Sequence, residues 1–148
     1  AGITVFGIVA ALMAPLFGAL SDRYGVRPVA LWSLVAFGLV LASFWFLPES
    51  KIGYLLFWAV LGAIGIGSTP VTWSRAISLW FSKNRGLALG IMLLGTSLAA
   101  LVVPQLTQGA ISYGGWRAAF PFAALLPLCI ALPIGLLWFR EPRRDEMP

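Results

Sequence analysis

The residue types that most often perform chemistry in proteins are scarce in this chain of 148 residues. Histidine is absent and Cys129 is the only cysteine, so Cys/His zinc sites, bis-His haem and an internal disulfide all lack ligands. Cys129 lies in a long apolar run, where we expect it to pack as a small hydrophobic side chain. We therefore predict no cofactor, no metal site and no enzymatic activity.

The charged residues are confined to short segments between long apolar runs. They make up 10% of the sequence, and 60% is hydrophobic, whereas soluble domains carry about 25% charge. A water-soluble globular domain is thereby excluded. Each run is long enough to cross a hydrocarbon core of about 30 Å as a helix. We predict an all-α membrane protein with five transmembrane helices, at about 1–21, 29–48, 52–74, 86–107 and 118–139, followed by a tail at 140–148.

The distribution of basic residues predicts the orientation in the cell membrane. Alternate loops and the tail hold eight of the ten basic residues: Arg23, Arg27, Arg75, Lys83, Arg85, Arg140, Arg143 and Arg144. Since the side richer in Lys and Arg faces the cytoplasm, the loops 22–27 and 75–85 and the C-terminus are expected there. The net charge of +5 follows from this asymmetry, and no nucleic-acid partner is expected.

The positions of the tryptophans indicate the same orientation, because indole rings favour the two membrane interfaces. Those expected near the basic side are Trp32, Trp73, Trp80 and Trp138, and those expected near the opposite side are Trp45, Trp58 and Trp116.

The segment 18–28, GALSDRYGVRP, lies between the first two predicted helices. Gly25 permits the positive φ of a helix C-cap, and Pro28 suits the first turn of the next helix. Asp22 comes at the negative end of its helix dipole, so its carboxylate needs a cationic partner or a helix N-terminus. Arg23 and Arg27 are the cations in reach. The alternative is a tight turn whose charges only hold the loop inside, for which Asp22 is superfluous.

This segment resembles the G-x-L-[SA]-D-R-x-G-x-[RK]-[RKP] loop of the major facilitator superfamily, matched at Gly18, Asp22, Arg23, Gly25 and Arg27. In that superfamily the loop joins helices 2 and 3. The resemblance implies that the chain holds helices 2 to 6, a partial N-terminal half of a 12-helix transporter, and lacks the C-terminal half. It also implies a gating loop, in which the aspartate contacts the other half and latches the outward-facing state. We accordingly interpret the start of the sequence as a truncation rather than a signal peptide.

A second segment, 80–95, is similar to the [YW]-F-x-[KR]-x-R-x-L-A-x-G-x-x-x-x-G pattern of monocarboxylate transporters and oxalate/formate antiporters, with Phe81, Lys83, Arg85 and Gly90 at its positions. The pattern leads from the helix 4–5 loop into helix 5, where its glycines give close packing. The resemblance implies a secondary active transporter of small organic anions, working by alternating access in a lipid bilayer. The alternatives are a superfamily transporter of sugars, drugs or nitrate, and a non-transporting membrane scaffold.

Few polar side chains lie away from the predicted helix ends. In this architecture substrates bind near the midplane, with helices 4 and 5 among the contributors. The substrate candidates are Thr69, Thr72, Arg75, Thr96 and Ser97. The competing interpretation is that the hydroxyls bond back to the preceding helical turn, and that Arg75 is an interfacial anchor that snorkels to the headgroups. No acidic residue lies within the predicted helices, so none of them carries a buried proton acceptor.

Overall fold

The computed structural model describes residues 1–46, 50–81 and 83–140, and these ranges are helical almost throughout. The α-helices are α1 (Gly2–Tyr24), α2 (Val26–Ser43), α3 (Lys51–Gly65), α4 (Pro70–Trp80), α5 (Arg85–Gly114), α6 (Ala119–Leu125) and α7 (Leu132–Trp138). Short 3-10 turns lie at Phe44–Phe46, Ile66–Ser68 and Trp116–Ala118, and a π-helical turn, Leu126–Ala131, joins α6 to α7.

These helices combine into five segments that are long and apolar enough to cross a membrane: Gly2–Tyr24, Val26–Phe46, Lys51–Trp80, Arg85–Gly114 and Trp116–Trp138. The prediction of an all-α protein with five transmembrane helices is confirmed. The last residues of the predicted second helix, Ser82 of the second motif, and the tail beyond Arg140 lie outside the described residues.

The helices run beyond the ends predicted from the charges. Helix α1 continues to Tyr24 and α2 begins at Val26, so the predicted loop 22–27 is helical except at Gly25. Charged side chains are compatible with a helix that emerges from the hydrocarbon, because long basic chains snorkel to the headgroups. The helices end instead at Gly25 and Gly115, whose φ angles of 92° and 74° favour glycine over any residue with a Cβ.

The core of the bundle is aromatic and lies near the end opposite most of the basic residues. Phe44 is 2% exposed, and its ring stacks on Phe120 with centroids 3.7 Å apart and meets Phe57 edge-on at 4.4 Å. Tyr54 and Trp116 surround it at 6.4 and 6.0 Å. These rings tie the second, third and fifth membrane segments together at this end.

Helices α1 and α3 approach closely through a glycine. A Cβ placed on Gly62 would lie 2.6 Å from the carbonyl oxygen of Phe6, as expected where small residues allow membrane helices to touch. The close packing expected at Gly90 is not found among the described residues, since a Cβ there would meet nothing within 4 Å. Helix α5 has no buried residue.

Cys129 does not pack as predicted. It lies exposed in the π-helical turn Leu126–Ala131. An apolar run in a membrane segment needs no cover from protein, because lipid can solvate its outer face. Hydrophobicity alone therefore did not distinguish a packed thiol from an outward-facing one.

Candidate functional site

A break between α3 and α4 positions most of the predicted site residues. Pro70 is the first residue of α4 and has no backbone N–H, so the carbonyl four residues earlier, that of Ile66, loses its helical donor. That carbonyl oxygen accepts the backbone N–H of Thr69 at 3.3 Å and the hydroxyls of Thr69 and Thr72 at 2.9 and 3.3 Å. The two threonines therefore satisfy the backbone group that the proline frees.

Helix α2 packs against the same break. The buried Ser33 hydroxyl donates to the carbonyl oxygen of Ile64. A Cβ on Gly67 would lie 2.7 Å from the Cβ of Ser33 and 2.8 Å from the ring of Phe17. Only glycine permits α1, α2 and the 3-10 turn to meet this closely, so the bend is fixed by packing as well as by hydrogen bonds.

Thr69, Thr72 and Arg75 follow one another at intervals of three, which places them on one face of α4. All three line a crevice of about 110 Å³ between α4 and α1, whose opposite wall includes Gly18 and Ser21. The structure thus brings three of the five substrate candidates beside the first residue of the predicted gating segment. Ser21 was not among the predicted site residues, although it fills the [SA] position of the first motif, one residue before Asp22.

Asp22 forms its ion pair with Arg75, through Oδ1 and Nη2. The partners expected from sequence, Arg23 and Arg27, are engaged elsewhere. The guanidinium of Arg23 lies over the ring of Tyr24, 5.5 Å from its centroid, and Arg27 donates to the carbonyl oxygen of Leu136 at 3.1 Å.

Asp22 has the cationic partner that was predicted, but Arg23, a cation in reach along the chain, is not that partner for a geometric reason. Because α1 continues through Asp22 to Tyr24, Arg23 points about 100° around the helix from its neighbour, and successive residues on a helix do not face each other. The side chains of Asp22 and Arg75 are 62% and 45% exposed, so solvent screens the pair and its contribution to stability is at most about 1 kcal/mol.

Residues just after the end of α7 contact the other side of α4. The indole Nε1 of Trp80 donates to the carbonyl oxygen of Arg140 at 2.9 Å, and the guanidinium of Arg140 lies 5.4 Å from the centroid of the Trp80 ring. Trp73 packs against Phe139 with centroids 5.2 Å apart. Helix α4 is therefore held between α1 and the end of α7, a contact that no sequence pattern indicated.

The remaining candidates lie apart from this crevice. Thr96 and Ser97 are on α5 and donate back to the carbonyl oxygens of Met92 and Leu93, at 3.4 and 3.0 Å, as the competing interpretation expected. In the second motif, α4 ends before Phe81, which is extended, and Arg85 is the first residue of α5. Lys83 lies in the turn between the two helices.

The arrangement offers an anion the guanidinium of Arg75, since the hydroxyl hydrogens of Thr69 and Thr72 are already donated to the Ile66 carbonyl. Residues 1–46, 50–81 and 83–140 contain no group of three or more His, Cys, Asp or Glu side chains that could hold a metal ion. A guanidinium binds a carboxylate through two parallel N–H bonds when geometry allows. Of the residues that line the crevice, Arg75 carries the charge that suits an anion.

Comparisons with known proteins agree with this architecture. The family model of the Major Facilitator Superfamily matches residues 2–148. Similar curated proteins include the fujikurins efflux protein of Gibberella fujikuroi, 34% identical over 92% of this chain and 29% of that protein. Monocarboxylate transporter 13 of Bos taurus is 31% identical over 78% and 27% of the two chains, and the probable nitrate/nitrite antiporter NarK1 of Thermus thermophilus is 33% identical over 90% and 31%.

These relatives are longer than the sequence, which spans less than a third of the length of each of the three. No solved structure matches the chain significantly. The family model matches nearly all of the sequence. The chain belongs to the major facilitator superfamily.

Proposed function

We propose that the protein is a secondary active transporter of small organic anions, of the monocarboxylate or oxalate/formate type, that works by alternating access. The observation that carries the proposal is the α1–α4 crevice, which Thr69, Thr72 and Arg75 line and whose Arg75 pairs with the Asp22 carboxylate. The similarity to a monocarboxylate transporter supports the same substrate class. Thr96 and Ser97 remain candidates for a second substrate surface on α5.

In the proposed mechanism a substrate carboxylate competes with Asp22 for Arg75. The ion pair is exposed on both sides, so an arriving carboxylate can exchange with the Asp22 carboxylate without burying an unpaired charge. Once released, Asp22 no longer ties α1 to α4. Substrate binding would thereby shift the equilibrium between two conformations, because the ligand binds only the state in which the pair is open.

We propose that the gating segment consists of Gly18, Asp22, Arg23, Gly25 and Arg27, and that Phe81, Lys83, Arg85 and Gly90 form the entrance to helix 5. The segments 22–27 and 75–85 and the C-terminus would face the cytoplasm, since they carry most of the basic residues. The chain would supply helices 2 to 6 of the N-terminal half, and the C-terminal half would cover the exposed α5.

Nitrate is the second candidate substrate. It is a small planar oxyanion that a guanidinium can bind in the same way as a carboxylate, and one similar protein is named as a nitrate/nitrite antiporter. Sugars and other neutral solutes carry no negative charge that would pair with the Arg75 guanidinium.

The test uses the complete protein reconstituted in vesicles. Uptake of radiolabelled formate or lactate is measured with an excess of unlabelled oxalate, nitrate or glucose as competitor. We expect carboxylates to compete and glucose to have no effect. Competition by nitrate alone would favour the second candidate. Absence of uptake of every solute, from protein that inserts normally, would favour the non-transporting scaffold and contradict the proposal.

A further inference from the structure

Two apolar grooves flank Trp32 on the outer surface of α2. The first lies between α2 and α7, with Leu31, Val35, Leu132 and Leu136 in its walls. The second lies between α1 and α2, with Phe17, Leu20 and Ile64 in its walls. Each has a volume of about 480 Å³. Pro28 and Trp32 line both, so the grooves are neighbours on either side of these two residues.

Trp32 stands out from the surface between the two grooves. It is 75% exposed, and it lies in a helix apolar and long enough to span a membrane. Tryptophan at such a position favours the headgroup region, where its ring is apolar and its N–H meets polar groups. The grooves therefore begin near headgroup depth and continue along apolar walls toward the middle of the bundle.

Arginines lie at the same end of both grooves. Arg27 lines the first groove and reaches the last turn of α7 through its bond to the Leu136 carbonyl. Tyr24 lines the second groove, and the guanidinium of Arg23 lies over its ring. Arg23 and Arg27 lie on either side of the Gly25 turn, so each groove has one arginine beside it, in contact with a residue of its lining.

We propose that these grooves bind one anionic diacyl glycerophospholipid. Its two acyl chains lie on either side of Trp32, one in each groove, and its phosphate contacts Arg23 and Arg27. Acyl chains suit the apolar walls, and arginine suits a phosphate because its planar fork donates two parallel N–H bonds. The shared indole favours a two-chain ligand over two independent detergent-like molecules. The second groove shares Phe17 with the α1–α4 crevice, but neither groove includes Thr69, Thr72 or Arg75, so the site does not depend on the proposed substrate.

The test measures lipid binding rather than transport. The complete protein is purified in detergent and titrated with phosphatidylglycerol or phosphatidylcholine of identical chains, and bound lipid is counted by native mass spectrometry. We expect stronger retention of phosphatidylglycerol. Arg27→Gln should weaken it about fivefold, because one basic residue near an anionic headgroup contributes about 1 kcal/mol. Arg27→Lys keeps the charge and should retain most of the binding.

Two controls make the result specific. Arg85→Gln removes a positive charge from the first residue of α5, which lines neither groove, and should leave retention unchanged. Lysophosphatidylglycerol, which has one chain, should bind the unmodified protein more weakly than the diacyl lipid does. In Trp32→Ala the two lipids should bind equally. Equal retention of the two diacyl lipids, the same loss in Arg85→Gln as in Arg27→Gln, or displacement of the lipid by inorganic phosphate alone would overturn the proposal.

Discussion

The carboxylate of Asp22, near the C-terminal end of α1, pairs with the guanidinium of Arg75, in the second turn of α4. The two residues are 53 positions apart in the sequence. Arg75 lies beyond the break at Pro70, so the pair joins α1 to α4 on the far side of the bend. A contact at this place can control the position of α4 even though its contribution to overall stability is small, because tilting needs far less free energy than unfolding.

Asp22→Asn tests the proposed gate directly. Removing the negative charge should lower the rate of anion uptake in vesicles by up to about fivefold, which corresponds to ~1 kcal/mol on the equilibrium between conformations. The melting temperature in detergent should change little, because both partners are exposed. The charge-exchanged pair Asp22→Arg with Arg75→Asp should recover part of the lost uptake. Unchanged uptake by Asp22→Asn would contradict the gating role.

Arg75→Gln distinguishes the two roles proposed for this arginine, which are binding the substrate and pairing with Asp22 in the gate. If the substrate carboxylate binds the guanidinium, this variant should raise the KM for the anion by about tenfold, as expected for loss of a charge-assisted hydrogen bond. Arg75→Lys should give an intermediate KM because it keeps the charge but not the two parallel donors. Lys83→Gln, at the same end of the bundle but outside the crevice, is the matched control. An effect on kcat without any change in KM would indicate a role in gating alone.

The hydroxyls of Thr69 and Thr72 should contribute to stability only because Pro70 is present. Both donate to the Ile66 carbonyl, which lacks its helical donor. Replacing both threonines by valine leaves this half-buried oxygen with only the Thr69 backbone N–H at 3.3 Å, so we expect a loss of about 0.5–1.5 kcal/mol, the net contribution of a typical hydrogen bond. In a Pro70→Ala background the restored N–H can bond to Ile66, so the same replacements should cost much less. The measurement is a double-mutant cycle on melting in detergent.

Additive losses in that cycle would show that the threonines act independently of the proline. In that case their hydroxyls would be better explained as substrate contacts, and the KM for the anion should rise in both backgrounds.

The sequence and the physics of the bilayer together predicted the membrane segments and the turn at Gly25, because charge exclusion from lipid and positive φ are local properties. They did not predict the pairing of Asp22 with Arg75. That contact depends on how α1 and α4 are rotated, and rotation is fixed by non-local packing such as the approach of Gly62 to Phe6. The hydrogen bond from Trp80 to Arg140 was not predicted for the same reason, since neither residue type indicates its partner in the sequence.

The α1–α3 contact yields a prediction about stability that is independent of transport. Gly62→Ala places a methyl group 2.6 Å from the Phe6 carbonyl oxygen, and backbone atoms on both sides must shift to accept it. We expect a loss of about 1–3 kcal/mol, typical of overpacking in a tight interface, seen as a lower melting temperature in detergent. Gly86→Ala is the control, because a Cβ there meets nothing within 4 Å and alanine favours the helix by up to about 1 kcal/mol. Equal melting temperatures for the two variants would contradict the close approach of α1 to α3.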